Sequence, residues 1–274
     1  MVEIARYQVG EVVLTRVPYF DVALDADVVH LTGDQIAAID WAAPHWSTAD
    51  RRVLIGQAVW VVDSDGRLIV VDPCLAADPF LRAGPEAIVH QDAVLAALRA
   101  AGFPPERVEF VVLSHLDGIG MAAVVTPEGG WAPAFPNARV VITRAELEWL
   151  AGGSELAVNT RGHAALDALI EQGYVDAVED GHQLTAEVRL DLTHAHSVGH
   201  AFVRIESGGE NATFLGHLAL SPMNVVDGNP PTETDALHRL MADAAAHDTL
   251  IVGPLWPFPG AVYATGDSVV TAAE

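Results

Sequence analysis

The sequence predicts an α/β fold, an αββα sandwich of two mixed β-sheets flanked by helices. Three observations carry this expectation: a β-hairpin with its turn written into the sequence near residue 65, strand-helix units repeated after it, and a run of short strands in the second half. Gln57 to Val62 and Arg67 to Val71 are rich in β-branched residues and flank Asp63-Ser64-Asp65-Gly66. Asp-Gly supplies the positive φ of a tight turn, so the two runs pair as a hairpin ending at Asp72-Pro73.

Gln91 to Ala101 has helical spacing at Val94, Leu95 and Leu98, and Gly102 followed by Pro104 closes it. Val108 to Leu113 is an apolar run too short for a helix and suits a strand buried on both faces. The order then repeats: strand over Arg139 to Ile142, helix over Ala145 to Leu150, a break at Gly152-Gly153, and helix over Ala164 to Glu171. Short strands follow at Val188 to Leu192, Phe202 to Glu206 and Thr213 to Leu215. Thr234 to Ala246 reads as a helix opened by a capping hydroxyl, and Leu250 to Val252 as the strand after it. No fixed-period repeat or low-complexity linker interrupts this order, so residues 1–274 are expected to form one domain.

Composition bounds the partners. With 14 Lys+Arg against 37 Asp+Glu the formal charge is −23, a field that repels nucleic acid, anionic membrane surfaces and strongly anionic substrates. The single cysteine, Cys74, excludes an internal disulfide and a cysteine-based zinc cluster, and reads as a small buried side chain. The N-terminus lacks the basic and apolar pattern of a signal, and no window has the roughly 18 apolar residues of a membrane span, so the expected location is cytoplasmic. Without a secretory signal, the glycosylation match Asn211-Ala212-Thr213 reads as chance.

The chemistry-bearing residues sit at strand ends. Ser114-His115-Leu116-Asp117-Gly118-Ile119-Gly120 follows directly on the strand Val108 to Leu113, at the sheet edge where α/β proteins bind ligands. A second cluster, Thr193-His194-Ala195-His196-Ser197-Val198-Gly199-His200, lies between two strands, and His217 follows Gly216 after a third. Three histidines and an aspartate in such places are raw material for a zinc or iron site.

Here the sequence resembles the metallo-β-lactamase superfamily. Val111-Val112-Leu113-Ser114-His115 is similar to the strand leading into that family's H-x-H-x-D-H motif, and Phe135 to Arg139 followed by Arg144-Ala145-Glu146 to its next strand-helix unit. Thr193 to His200 matches its T-P-G-H-T-P-G-H segment, Gly216-His217 its G-D step, and Pro257-Phe258-Pro259-Gly260 its closing loop. Val71-Asp72-Pro73 fits the strand before its D-T-G or D-P-G turn. The matches run in order from about residue 57 to 260.

The departures define the expected site. The resemblance places a first metal at His115, Asp117, His196 and His217, with the family's His replaced by Asp117 and its Asp by His217, and a second metal at Ile119, Gly120 and Leu255, none of which can hold one. It therefore implies one divalent metal ion, zinc or iron. His194 and His200 are expected to be structural or to orient a ligand, and Asp72 to brace the site loop through backbone hydrogen bonds.

The activity so implied is mononuclear metal-dependent hydrolysis of an ester, lactone or thioester in a small, partly apolar molecule, by a water that the metal activates. Asp117 and His217 are the catalytic candidates: either all four residues bind the metal, or the three histidines do and Asp117 is the general base. The family's water-orienting Asp is Ile119 here, which keeps a single-iron oxygenase or lyase as an alternative. A metal-free ligand-binding scaffold, its old metal cavity made apolar by Ile119, Leu255 and Met121, is the other. Arg144 to Gly173, with Trp149, is expected over the cleft, with Trp131 and Trp256 as further apolar contacts.

Overall fold

The Asp65-Gly66 turn forms as its chemistry requires, with φ of 53° and 74° at the two central residues. It joins two strands of a first sheet in the computed structural model, which describes residues 4–73, 75, 85–116, 121–152, 160–225, 231–263 and 269–272. Cys74, Gly153, Asp117, Ile119 and Gly120 lie outside these residues. The first half of the chain runs β1 (Ala5–Val9), β2 (Val12–Leu24), α1 (Gly33–Ala37), β3 (Val53–Ser64), β4 (Arg67–Val71), α2 (Pro85–Ala100) and β5 (Val108–Val112). Next come the small hairpin β6 (Ala123–Val125) and β7 (Trp131–Pro133), then β8 (Arg139–Thr143), α3 (Arg144–Ala151), α4 (Thr160–Glu171) and β9 (Val175–Val178). The second half adds β10 (His182–Gln183), β11 (Val188–Leu192), β12 (Ala201–Ser207), β13 (Glu210–Phe214), α5 (Pro231–Ala246), β14 (Leu250–Val252), β15 (Gly260–Tyr263) and β16 (Val269–Ala272).

Two seven-stranded sheets result, ordered β1-β2-β3-β4-β5-β8-β9 and β10-β11-β12-β13-β14-β15-β16. Both are mixed: β4, β5, β8 and β9 run parallel in the first, and the β13–β14 pair is the parallel step in the second. The period-2 alternation of β4 shows how the layers form. Ile69 and Val71 face the second sheet, meeting Val203, Ile205 and Phe214, while Leu68 and Val70 pack outward against Val94 and Leu98 of α2 and Leu166 and Leu169 of α4. On the far side Leu237, Leu240 and Met241 of α5 cover Phe202 and Ile251 of the second sheet. The predicted αββα sandwich is the observed one. Among the described residues no helix is long and apolar enough to cross a membrane.

Three expectations need correction. α5 begins at Pro231, so Thr234 lies inside the helix and does not cap it; proline's fixed φ suits a first helical turn. Gly260 opens β15 and so belongs to a strand, not to the closing loop. Trp256 is 0% exposed, donates its indole N–H to the Ala219 carbonyl at 3.1 Å, and packs edge-on against Trp46; it is core and cannot line a cleft.

Candidate functional site

Four segments end at one edge of the sandwich: the chain after β4, the chain after β5, the β11–β12 loop and the chain after β13. Backbone bonds hold these ends together. Leu113 N–H donates to the Val141 carbonyl, Ala201 N–H crosses to the Ser114 carbonyl, and Leu215 N–H donates to the Val252 carbonyl. The ladder bonds of both sheets therefore continue into the loops that carry the histidines.

Those loops bring His115, His196 and His217 together, with His200 behind them. His115 is the hub: its ring centroid lies 4.7 Å from that of His196, 4.7 Å from that of His217 and 5.1 Å from that of His200. The first two contacts are edge-to-face, at 81° and 79°. His115 and His217 are buried, at 4% and 5% exposure, and the His196 side chain is 29% exposed. His194 points to solvent and is not part of the cluster.

Polar neighbours fix each ring from the outside. His115 Nδ1 is 3.1 Å from Ser114 Oγ, His200 Nδ1 is 2.9 Å from Thr193 Oγ1, and His196 Nδ1 is 3.1 Å from Glu233 Oε1 on α5. Gly216, at φ 57°, is required beside them: a Cβ there would lie 2.3 Å from His200 Nε2 and 2.7 Å from Ser114 Oγ.

Asp72 braces the site loop as the sequence suggests. Its Oδ1 accepts the Ser114 N–H at 2.8 Å from a left-handed backbone (φ 41°) that Asp tolerates better than most side chains. Burial pushes its carboxyl above the ordinary carboxylate range, against the opposing pull of His115, the Ser114 N–H and His217. Its second oxygen, Oδ2, is buried without a hydrogen-bond partner among the described residues.

The residue that ties the loops together is one the sequence reading mentions only in passing. Glu146, 0% exposed on α3, accepts the Leu116 N–H at 3.1 Å through Oε1, and the Ser197 hydroxyl at 2.6 Å and Gly199 N–H at 3.1 Å through Oε2. Thr143 completes the clamp, donating its hydroxyl to the Gly199 carbonyl at 2.6 Å and capping α3 through the Glu146 N–H. The approach is so close that a Cβ at Gly199 would lie 2.0 Å from the Glu146 nitrogen. Sequence offered one signal, a glycine at 199 inside a histidine loop. Glu233 offered none.

Three imidazoles with a buried carboxylate behind them suit a single zinc or iron ion in kind. Among the described residues no group of three or more His, Cys, Asp or Glu side chains is arranged to hold a metal, and Asp117 lies outside these residues. The position of a second ion is different in character. Leu255 is 5% exposed and belongs to the apolar cluster that includes Leu218, Met223 and Trp256. Met121, at 2%, is core as well, under the first sheet.

No family model and no curated protein matches the sequence. Solved structures do. The hydrolase AbOPH of the beta-lactamase superfamily superposes with a TM-score of 0.77 at 18% identity, over 100% of this chain and 98% of that one. AidC, a dizinc quorum-quenching lactonase solved with the product N-hexnoyl-L-homoserine, gives 0.76 at 16% identity, over 99% and 97%. A probable metal-dependent hydrolase from Staphylococcus aureus gives 0.70 at 13%, over 98% and 99%. At such identities the likeness speaks for architecture, and the site must be read from its own residues.

Proposed function

We propose that this chain, which has the metallo-β-lactamase fold, is a hydrolase that uses one divalent ion, zinc or iron, to cleave an ester, lactone or thioester bond in a small, partly apolar molecule. The observation that carries the reading is the imidazole cluster: His196 and His217, from two other segments, pack against His115 at the sheet edge where this architecture binds ligands. His115, Asp117, His196 and His217 would hold the ion. Bound there, it would polarise the scissile carbonyl and lower the pKa of the attacking water toward roughly 7.

The chain's own residues do the rest. Ser114 and Glu233 orient His115 and His196 from outside, and Glu146 keeps their loops in register. Asp117 serves as the fourth ligand or as the general base. One ion is favoured over two because Leu255 offers no donor and is built into the core. A net charge of −23 disfavours anionic substrates, and AidC, a lactonase of like fold, supports the choice of bond.

Elemental analysis of protein purified without added metal tests this directly, with about one zinc or iron per chain expected. A panel of lactones and aryl esters should be hydrolysed, and His115→Ala and His196→Ala should abolish both metal and turnover. Metal content near zero, with no gain on adding zinc or iron, would sink the proposal. It would favour a metal-free binding scaffold instead.

A further inference from the structure

We propose that Glu233 is a positioning residue of this site: it fixes His196 as the Nδ1–H tautomer and thereby turns the Nε2 lone pair toward the imidazole cluster. The inference rests on the reading above only in treating the cluster as the site, because the tautomer is a property of the metal-free chain.

A carboxylate oxygen accepts and has no proton to give, so the 3.1 Å contact between Glu233 Oε1 and His196 Nδ1 requires the hydrogen on the imidazole. A neutral ring protonated at Nδ1 carries its lone pair on Nε2, and which nitrogen is protonated is set by the bond the other makes. The hydroxyls beside two other rings carry no such constraint. Ser114 Oγ, beside His115 Nδ1, can donate or accept, and so can Thr193 Oγ1 beside His200.

The hydrogen bonds within the loop do not reach the ring. His194 and His196 both have left-handed backbones, at φ 54° and 70°, a conformation that costs an L-residue roughly 1–2 kcal/mol. The bonds that hold the loop act on its backbone and hydroxyls: Thr193 Oγ1 accepts the Ala195 N–H, and Glu146 accepts from Ser197 and Gly199. None of these touches the His196 imidazole.

Glu233, in contrast, stands in the first turn of α5. It stands four residues before Leu237, which is 0% exposed, and Leu240, Met241 and Ala244 continue the same buried stripe over the second sheet. α5 thus extends its core face one turn past the apolar stripe and ends it in a carboxylate that meets the site loop. The pair is partly shielded from water, at 29% side-chain exposure for His196 and 16% for Glu233, which separates it from the screened ion pairs of an open surface.

The test is long-range 1H–15N correlation spectroscopy of the imidazoles in full-length, chelator-treated protein, under conditions where the His196 ring is neutral, with the His196 signal assigned by its loss in His196→Gln. The wild type should show His196 protonated at Nδ1. Glu233→Ala should move that ring to the Nε2–H form while leaving the His115 and His200 patterns in place, and Glu233→Gln, whose Oε1 still accepts, should restore Nδ1–H. Zinc titration of the same proteins should show affinity about 10–100-fold lower in Glu233→Ala and recovered in Glu233→Gln. A wild-type ring protonated at Nε2, which needs no variant to fold, overturns the proposal, and so does an alanine variant with the wild-type tautomer. Loss of the tautomer in a chain that never binds zinc or iron would instead overturn the hydrolase reading and leave the role of Glu233 standing.

Discussion

Replacing Glu146 isolates the force that holds the site loops together. Its two oxygens receive three donors, of which the Leu116 and Gly199 N–H groups belong to the backbone and cannot turn away. In Glu146→Ala both are left buried without an acceptor, at roughly 1–3 kcal/mol each, so the expected loss is roughly 2–6 kcal/mol before any cavity is counted. Glu146→Gln is the sharper probe. Its amide accepts at one end only, and either way round it points an NH2 at a backbone N–H; the Ser197 hydroxyl can rotate to adapt, Gly199 cannot. One N–H is therefore stranded, and about 1–3 kcal/mol is lost with almost no change of volume. Urea unfolding of the metal-free variants gives both numbers, and amide exchange at Leu116 and Gly199 should accelerate in step. A glutamine variant within about 0.5 kcal/mol of wild type, the range of an ordinary surface substitution, would refute the clamp.

Two further outcomes follow from the same edge of the sandwich. Gly216→Ala combines a left-handed backbone, roughly 1–2 kcal/mol, with overpacking of His200 and Ser114, roughly 1–3 kcal/mol, so its unfolding free energy should fall by roughly 2–5 kcal/mol; a loss below about 1 kcal/mol would mean the loop yields freely. Asp72 binds its proton more tightly folded than unfolded, so its contribution to stability is full below the unfolded value near 4 and is lost as pH rises through the raised folded value. Asp72→Asn keeps an acceptor for the Ser114 N–H and tolerates φ 41°, and it has nothing to ionise. In metal-free protein its stability relative to wild type should therefore improve as pH rises from about 4 to 7, and a difference independent of pH would contradict the buried charge.

Where local chemistry decides structure, the sequence was readable. Asp65-Gly66 forces its turn, β11 and β14 have the boundaries their apolar runs suggest, and Asp72 reaches the Ser114 N–H as its place after β4 implies. β2 was hidden because it breaks the strand pattern. It carries Arg16, buried beside Asp21, and a register shift between Pro18 and Phe20, features that only the neighbouring strands make tolerable. In the site, histidines at strand ends announce themselves by residue type and by the resemblance. The carboxylates that hold them do not: Glu146 and Ser197 are 51 residues apart, Glu233 and His196 are 37, and no local spacing encodes either contact.

The loop after β14 has a consequence for how this chain can change. Leu255 and Trp256 belong to the same apolar cluster as Ala195, Leu215 and Leu218, the neighbours of His196 and His217, and Gly56 N–H is bonded to the Leu255 carbonyl. Truncating a large side chain there removes core volume at roughly 2–5 kcal/mol, against a typical reserve of about 5–15 kcal/mol for the whole fold. Val198, 54% exposed in the histidine loop, faces no such penalty. Change around the histidine loops thus has a stiff side and a free one: at Leu255 any change of side chain is also a change of stability, and at Val198 the two can drift apart.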